Sequence, residues 1–187
     1  MFQVVSIAGS PSEISRSSAL LDAVEAALAP YDIHCRRIVA GRLPADELLQ
    51  RRPTGTELAV ALADLTDADA VIVSTPIYKG AYSGLLKAFL DLLPQSGLAG
   101  KPVLPLASAG SPAHILAIEY TLKPVLAALG ARHLLGGVTA VEVELQRLAT
   151  GYVIDPVLET RLNAAASQFA EALGATTRRP RLAVAGR

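Results

Sequence analysis

The sequence is poor in the side chains that carry most covalent and metal chemistry. Of its 187 residues one is cysteine and three are histidine. The lone Cys35 excludes an internal disulfide, a Cys-x-x-Cys redox pair and a multi-cysteine metal centre. It reads instead as a small buried side chain on a strand. His34, His114 and His133 are scattered, without the carboxylate spacing of a metal site. No Gly-x-Ser-x-Gly elbow occurs, so a hydrolytic triad is hard to assemble. Neither sign of charge is in excess: 17 Lys and Arg balance 17 Asp and Glu. No broad basic face therefore invites nucleic acid. No uninterrupted apolar stretch is long enough to cross a bilayer. The N-terminus lacks a basic n-region and reaches Gly-Ser-Pro too early for a secretory signal. The expectation is a cytoplasmic protein with no membrane or nucleic-acid partner. If it is an enzyme, a cofactor performs the chemistry.

What the chain does contain is apolar and periodic. Hydrophobic residues make up 51% of it, enough for one domain with a substantial core. Runs rich in Val and Ile predict strands at Phe2–Ala8, Ile33–Ile38, Ala70–Ser74, Val103–Ala107 and Leu134–Ala140. Helical periodicity fills the intervals, near Ser17–Ala29, Thr56–Leu65, Ser83–Leu93, Ala113–Leu129 and Pro156–Leu173, with a short turn at Pro44–Leu49. Continuous apolar strands such as Val71-Ile72-Val73 belong in a parallel sheet covered on both faces. Right-handed crossovers then give an α/β three-layer sandwich, flavodoxin-like, with a five-stranded parallel sheet in the order 2-1-3-4-5. The domain is expected over residues 1–174. Residues 175–187, with Arg178, Arg179, Arg181 and Arg187, read as a flexible, solvated tail.

In such a sheet ligands bind beyond the carboxyl ends of the strands. The loop after the first strand is Gly9-Ser10-Pro11-Ser12-Glu13-Ile14-Ser15-Arg16-Ser17-Ser18. It delivers hydroxyls, backbone N–H groups and one Arg to a helix N-terminus, which suits a phosphate. Ser10, Ser15, Arg16, Ser17 and Ser18 are the candidates. The loop is neither a Walker loop nor GxGxxG, so a mononucleotide phosphate fits better than either alternative. After the third strand, Thr75-Pro76-Ile77-Tyr78-Lys79-Gly80 offers backbone groups and apolar surface to a flat ring. After the fourth, Ser108-Ala109-Gly110-Ser111 has minimal side chains that let a planar ring approach.

Two helices carry more apolar surface than one sheet face needs, which predicts an oligomer. They are the segments around Leu85–Leu93 and Ile115–Leu129. In the second, Pro124 removes an N–H and crowds the carbonyl of Tyr120, so a kink or π-type bulge is expected there.

These blocks, in this order, resemble the NADPH-dependent FMN reductases, most of all the alkanesulfonate-utilisation branch. The likeness rests on Ala8-Gly9-Ser10-Pro11 with Ser15-Arg16-Ser17-Ser18, on Thr75–Gly84, and on Leu85–Pro94, Gly100–Ala107 and Tyr120–Leu126. It covers roughly residues 2–140. The resemblance implies a flavodoxin-like fold, dimeric or tetrameric assembly, and reduction of FMN by NADPH, with NADH possible. Reduced flavin would pass to a partner flavin-dependent monooxygenase, a sulfonate one in that branch. By position, the serines and Arg16 would hold the FMN phosphate. Pro76, Ile77, Tyr78 and Lys79 would flank the isoalloxazine, and Ser108, Gly110 and Ser111 would close the site. Tyr120 matches a Tyr that marks a π-helical insertion at the tetramer interface. Ser12 stands where the family often has Arg, so a cationic contact is absent there or supplied by Arg16. The rival readings are a flavin-bound quinone or azo reductase and a flavodoxin-like electron carrier without NADPH activity; the neutral charge balance disfavours the carrier.

Overall fold

The computed structural model describes residues 1–176. A central sheet is built from β1 (Phe2–Ala8), β2 (Ile33–Val39), β3 (Ala70–Tyr78), β4 (Ala81–Tyr82), β5 (Pro102–Ala109), β6 (His133–Leu134) and β7 (Val138–Val141). Its order is β2-β1-β3-β5, with β6 and β7 both on the far side of β5 and β4 hairpinned to the end of β3. All pairings except β3–β4 are parallel. This is the expected 2-1-3-4-5 winding, with its last strand in two pieces.

The division of that last strand has a local cause. Pro105 sits inside β5 and has no N–H for a ladder. Between the pairs Val103–Leu134 and Leu106–Val138 the outer chain has an extra residue. Gly137 absorbs it at φ +80°, where a Cβ would stand 2.5 Å from the Pro105 carbonyl oxygen. A bulge with glycine at the close approach is the usual outcome.

Successive strand residues point to opposite faces, and each face has its own core. Val4 and Ala8 join α1 (Arg16–Leu28) and α6 (Pro156–Ala172) on one side. Val5 and Ile7 face α3 (Thr56–Asp67), α4 (Gly84–Leu90) and α5 (Lys123–Ala128) on the other. The short α2 (Ala45–Gln50) lies where the Pro44–Leu49 turn is predicted. Between β7 and α6 the chain forms an antiparallel hairpin, β8 (Leu145–Leu148) and β9 (Gly151–Ile154), which the hydrophobic periodicity does not predict.

Two predicted helices are shorter than expected. The Ser83–Leu93 segment is helical only over α4, because Pro94 disfavours helical backbone just before it. Leu92 and Leu93 then turn through bonds to Phe89 and Leu90. The Ala113–Leu129 segment opens as a 3-10 turn, Pro112–His114. It becomes a π-helix at Ile118–Leu122 and is α-helical only over α5. The π stretch encloses Tyr120, where Pro124 places the irregularity, and the Lys123 N–H closes it on the Ile118 carbonyl. The surplus apolar face is also narrower than predicted. Leu85, Leu86, Phe89, Leu90, Leu92 and Leu93 are buried or half-buried within the chain, leaving Ile115, Leu116 and Tyr120 exposed.

Ala175 and Thr176 are tied to the fold by backbone bonds to Ala170 and Asp32. The remainder of the expected tail, with its four arginines, lies outside the described residues.

Candidate functional site

The carboxyl ends of β1, β3 and β5 converge because the sheet is parallel and its crossovers leave in different directions there. The last pair of the β3–β5 ladder, Pro76 with Ser108, marks the rim. Above it lies a cleft of about 320 Å³. The first loop contributes Ser10, Ser12, Ile14, Ser15 and Arg16; the second, Pro76, Ile77 and Tyr78; the third, Ser108, Ala109 and Gly110. All three loops singled out in the sequence therefore meet at one place.

Local folding explains the first wall. Gly9 is pressed against Leu86 and the Ser74 carbonyl, where a Cβ would meet atoms at 2.9 and 3.1 Å. That contact turns the chain sharply away from β1. Ser10 is buried, and its hydroxyl accepts from the Ser12 N–H at 3.1 Å. Ser15 caps α1, its hydroxyl accepting from the Ser18 N–H at 3.0 Å and lying 2.8 and 3.1 Å from the hydroxyls of Ser18 and Ser17. The N–H groups of the first helical turn have no intrahelical acceptor, and the helix dipole adds positive potential. No acidic side chain occupies that turn.

Arg16 is the first residue of α1. Its Nη2 donates to Oε1 of Glu142, in the 3-10 turn Glu142–Glu144 after β7. Its Nε is buried and has no hydrogen-bond partner. A buried, unpartnered N–H on a cation beside a helix N-terminus is suited to an oxyanion.

Not every candidate lines the cleft. Ser17 is buried beneath it, its carbonyl accepting from Ser74 Oγ at 2.7 Å. Ser18 faces a neighbouring groove, with Asp22 and Thr150. Lys79 is at φ +52° in the two-residue turn joining β3 to β4, outside the lining residues. Ser111 accepts from the Ala113 N–H and caps the 3-10 turn. Tyr120 is 75% exposed on the π-helix.

The outer wall was missed by sequence reasoning. Arg147 and Tyr152, facing each other across the β8–β9 hairpin, line the same cleft. Arg147 makes no side-chain hydrogen bond or ion pair with the described residues. The available signal was Thr150-Gly151 between two short alternating runs, Leu145–Leu148 and Tyr152–Ile154.

A second groove of about 480 Å³ lies between the end of β2 and α3, with Arg36, Arg37 and Arg42 in its walls. Each of these arginines is already paired, with Asp64, with Asp22 and Glu25, and with Glu13 respectively. Hydrogen bonding to Arg42, then its charge, holds the Glu13 carboxyl below the usual carboxylate range. The groove is therefore internally neutralised, whereas the cleft keeps Arg16 Nε without an acceptor and Arg147 without an ion pair among the described residues, and is the better anion site. No carboxylate or histidine lines that cleft, and no group of side chains among the described residues could hold a metal ion. No helix there is long and apolar enough to cross a membrane.

Comparisons with known proteins agree on one family. The family model described as NADPH-dependent FMN reductase matches residues 2–146. An Escherichia coli protein named FMN reductase (NADPH) is 42% identical over 171 residues, 91% of this chain and 90% of its own length. A Pseudomonas fluorescens protein named NADH-dependent FMN reductase SfnF is 31% identical over 186 residues, covering 98% and 97%. The crystal structure of an NADH:FMN oxidoreductase, EMOB, in its apo form superposes with a TM-score of 0.84 at 38% identity. That match covers 96% of this chain and 92% of the other.

Proposed function

The chain belongs to the NADPH-dependent FMN reductase family, and from that premise we propose that the cleft above β1, β3 and β5 holds FMN and admits NAD(P)H beside it. The protein reduces FMN at the expense of NAD(P)H. The observation that carries the site assignment is Arg16 Nε, buried and unpartnered at the first turn of α1.

The phosphate is seated by the hydroxyls of Ser10 and Ser15, the Arg16 guanidinium and the first-turn backbone N–H groups, including that of Ser17. Ser18 acts one step back, its N–H fixing the Ser15 hydroxyl. Pro76, Ile77 and Tyr78 flank the ring system, with Lys79 at the turn beyond, and Ser108 and Gly110 close the other side, backed by Ser111. Bound FMN supplies the electron-accepting ring system. The chain's own part is to orient two flat molecules and exclude water, which requires no side chain to hold a proton. A cleft lined without carboxylate or histidine fits that division of labour.

Reduced flavin is released to a partner flavin-dependent monooxygenase, in keeping with relatives named SfnF and SfnE, and sulfonate oxidation is the process it serves. The protein works in the cytoplasm as a homo-oligomer, dimer or tetramer, joined through the exposed Ile115, Leu116 and Tyr120. Anaerobic titration of the purified protein with FMN, then NADPH or NADH, tests the assignment. Flavin-dependent consumption of pyridine nucleotide is expected; none in a folded sample would refute it.

A further inference from the structure

Resting on the assignment of the flavin phosphate to the α1 N-terminus, we propose that Glu142 is a built-in carboxylate competitor for that phosphate, holding flavin affinity down. Arg16 is the shared partner. In the structure its Nη2 donates to Glu142 Oε1, while Nε, on the same guanidinium, is buried without an acceptor. Carboxylate and phosphate are both oxyanions that a guanidinium binds through parallel N–H groups. Glu142 takes only one of them. A phosphate monoester, with three oxygens and close to two negative charges, takes both and leaves no buried donor unsatisfied.

The surrounding turn shows that Glu142 is free to exchange. Glu144, two residues on, is committed to the fold. Its Oε2 accepts from the Val141 N–H at 2.7 Å and its Oε1 from Arg161 Nη1 at 2.8 Å. Glu142 has no such duty: its side chain is 54% exposed and, among the described residues, bonds only to Arg16. The residue between them, Val143, is 90% exposed, so nothing packs over the turn. Release of Glu142 to water on flavin binding therefore disturbs little else.

The competition acts in one direction. The ion pair stabilises the flavin-free state, so flavin affinity falls by whatever the pair contributes there. A displaced but nearby carboxylate also repels the phosphate. Both effects favour departure of the product, as an enzyme that hands reduced FMN to a second protein requires. The ligand chemistry is a phosphate monoester; the FMN phosphate and the 2′-phosphate of NADPH are the two sources, and titrations distinguish them.

The experiment measures dissociation constants and off-rates of FMN and riboflavin by flavin fluorescence at low salt without pyridine nucleotide, and, in separate turnover assays, the Michaelis constant for NADPH. Wild type, Glu142→Gln and Glu142→Ala are compared, each also in an Arg16→Ala background, with thermal melts to verify folding. The expected result is FMN binding about fivefold tighter in both single variants, the scale of a partly exposed ion pair. The FMN off-rate slows, riboflavin is unchanged, and the Arg16→Ala background abolishes the gain. FMN affinity unchanged or weakened overturns the proposal. So does equal tightening of riboflavin, a gain that survives Arg16→Ala, or a change confined to the Michaelis constant for NADPH. Wild type binding FMN and riboflavin equally well would overturn the phosphate assignment itself, a distinct failure.

Discussion

Ser83 Oγ donates to the backbone carbonyl of Gly9, fastening the cap of α4 to the loop that opens the cleft above β1, β3 and β5. The same oxygen accepts from the Leu86 N–H at 3.1 Å, and the Ser83 N–H donates to Thr75 Oγ1 at 3.0 Å. One buried serine thus links the loops after β1 and β3. Ser83→Ala is expected to cost about 1–2 kcal/mol of stability through the lost cap and an orphaned carbonyl. Urea unfolding measures that loss, and the Michaelis constant for FMN should rise with it as the cleft loosens.

Gly9 has a contact role that its neighbour Gly84 does not share. Gly9→Ala places a methyl 2.9 Å from Leu86 Cβ and 3.1 Å from the Ser74 carbonyl, and backbone cannot yield cheaply. About 1–3 kcal/mol of destabilisation is expected. Gly84→Ala, with nothing within 4 Å, should be neutral or slightly stabilising. Thermal melts of the pair test the contrast.

Arg16→Ala should weaken FMN binding about ten- to hundredfold, the range for hydrogen bonds to a charged group. Riboflavin, which lacks the phosphate, should change little. Isothermal titration of both flavins is the measurement, and equal losses would contradict the role given to Arg16.

Burial, reinforced by the Glu25 carboxylate and opposed by Arg37, pushes the Cys35 thiol up from its ordinary value of 9.0 to about 11. The folded state therefore keeps this proton at a pH where the unfolded chain loses it. The resulting stabilisation is complete below pH 9 and is lost as pH rises through 11. The difference in urea midpoint between wild type and Cys35→Ala should shift in that direction between pH 8 and alkaline buffer. Alkylation of the native thiol at pH 8 should be slow.

Tyr120, Ile115 and Leu116 remain exposed around the π-helix. Tyr120→Asp is expected to shift the oligomer toward smaller species in light scattering, with the fold retained. A wild-type monomer at micromolar concentration would contradict the assembly proposed here.

The sheet and its cleft were legible because their signals are local. Val71-Ile72-Val73 names a doubly covered strand, and Ser15 followed by Arg16 names a helix start. Pro124 announced the irregularity near Tyr120 for the same reason. The hairpin bearing Arg147 and Tyr152 was not legible, since two strands of four residues carry too little periodicity. Nor was the pairing of Arg16 with Glu142, which joins positions 126 residues apart. Likewise, a row of serines does not by itself separate those that line the cleft from Ser17, buried beneath it, and Ser18, which faces the neighbouring groove.

The β8–β9 hairpin forms its own small sheet, with no ladder to the parallel one. The outer wall of the cleft is thus joined to the frame by packing, with Tyr152 and Ile154 against the core on the α1 and α6 side, and not by strand pairing. Changing the side chains at Arg147 and Tyr152 should therefore retune which molecules enter, while the frame proposed to hold the flavin is left as it stands.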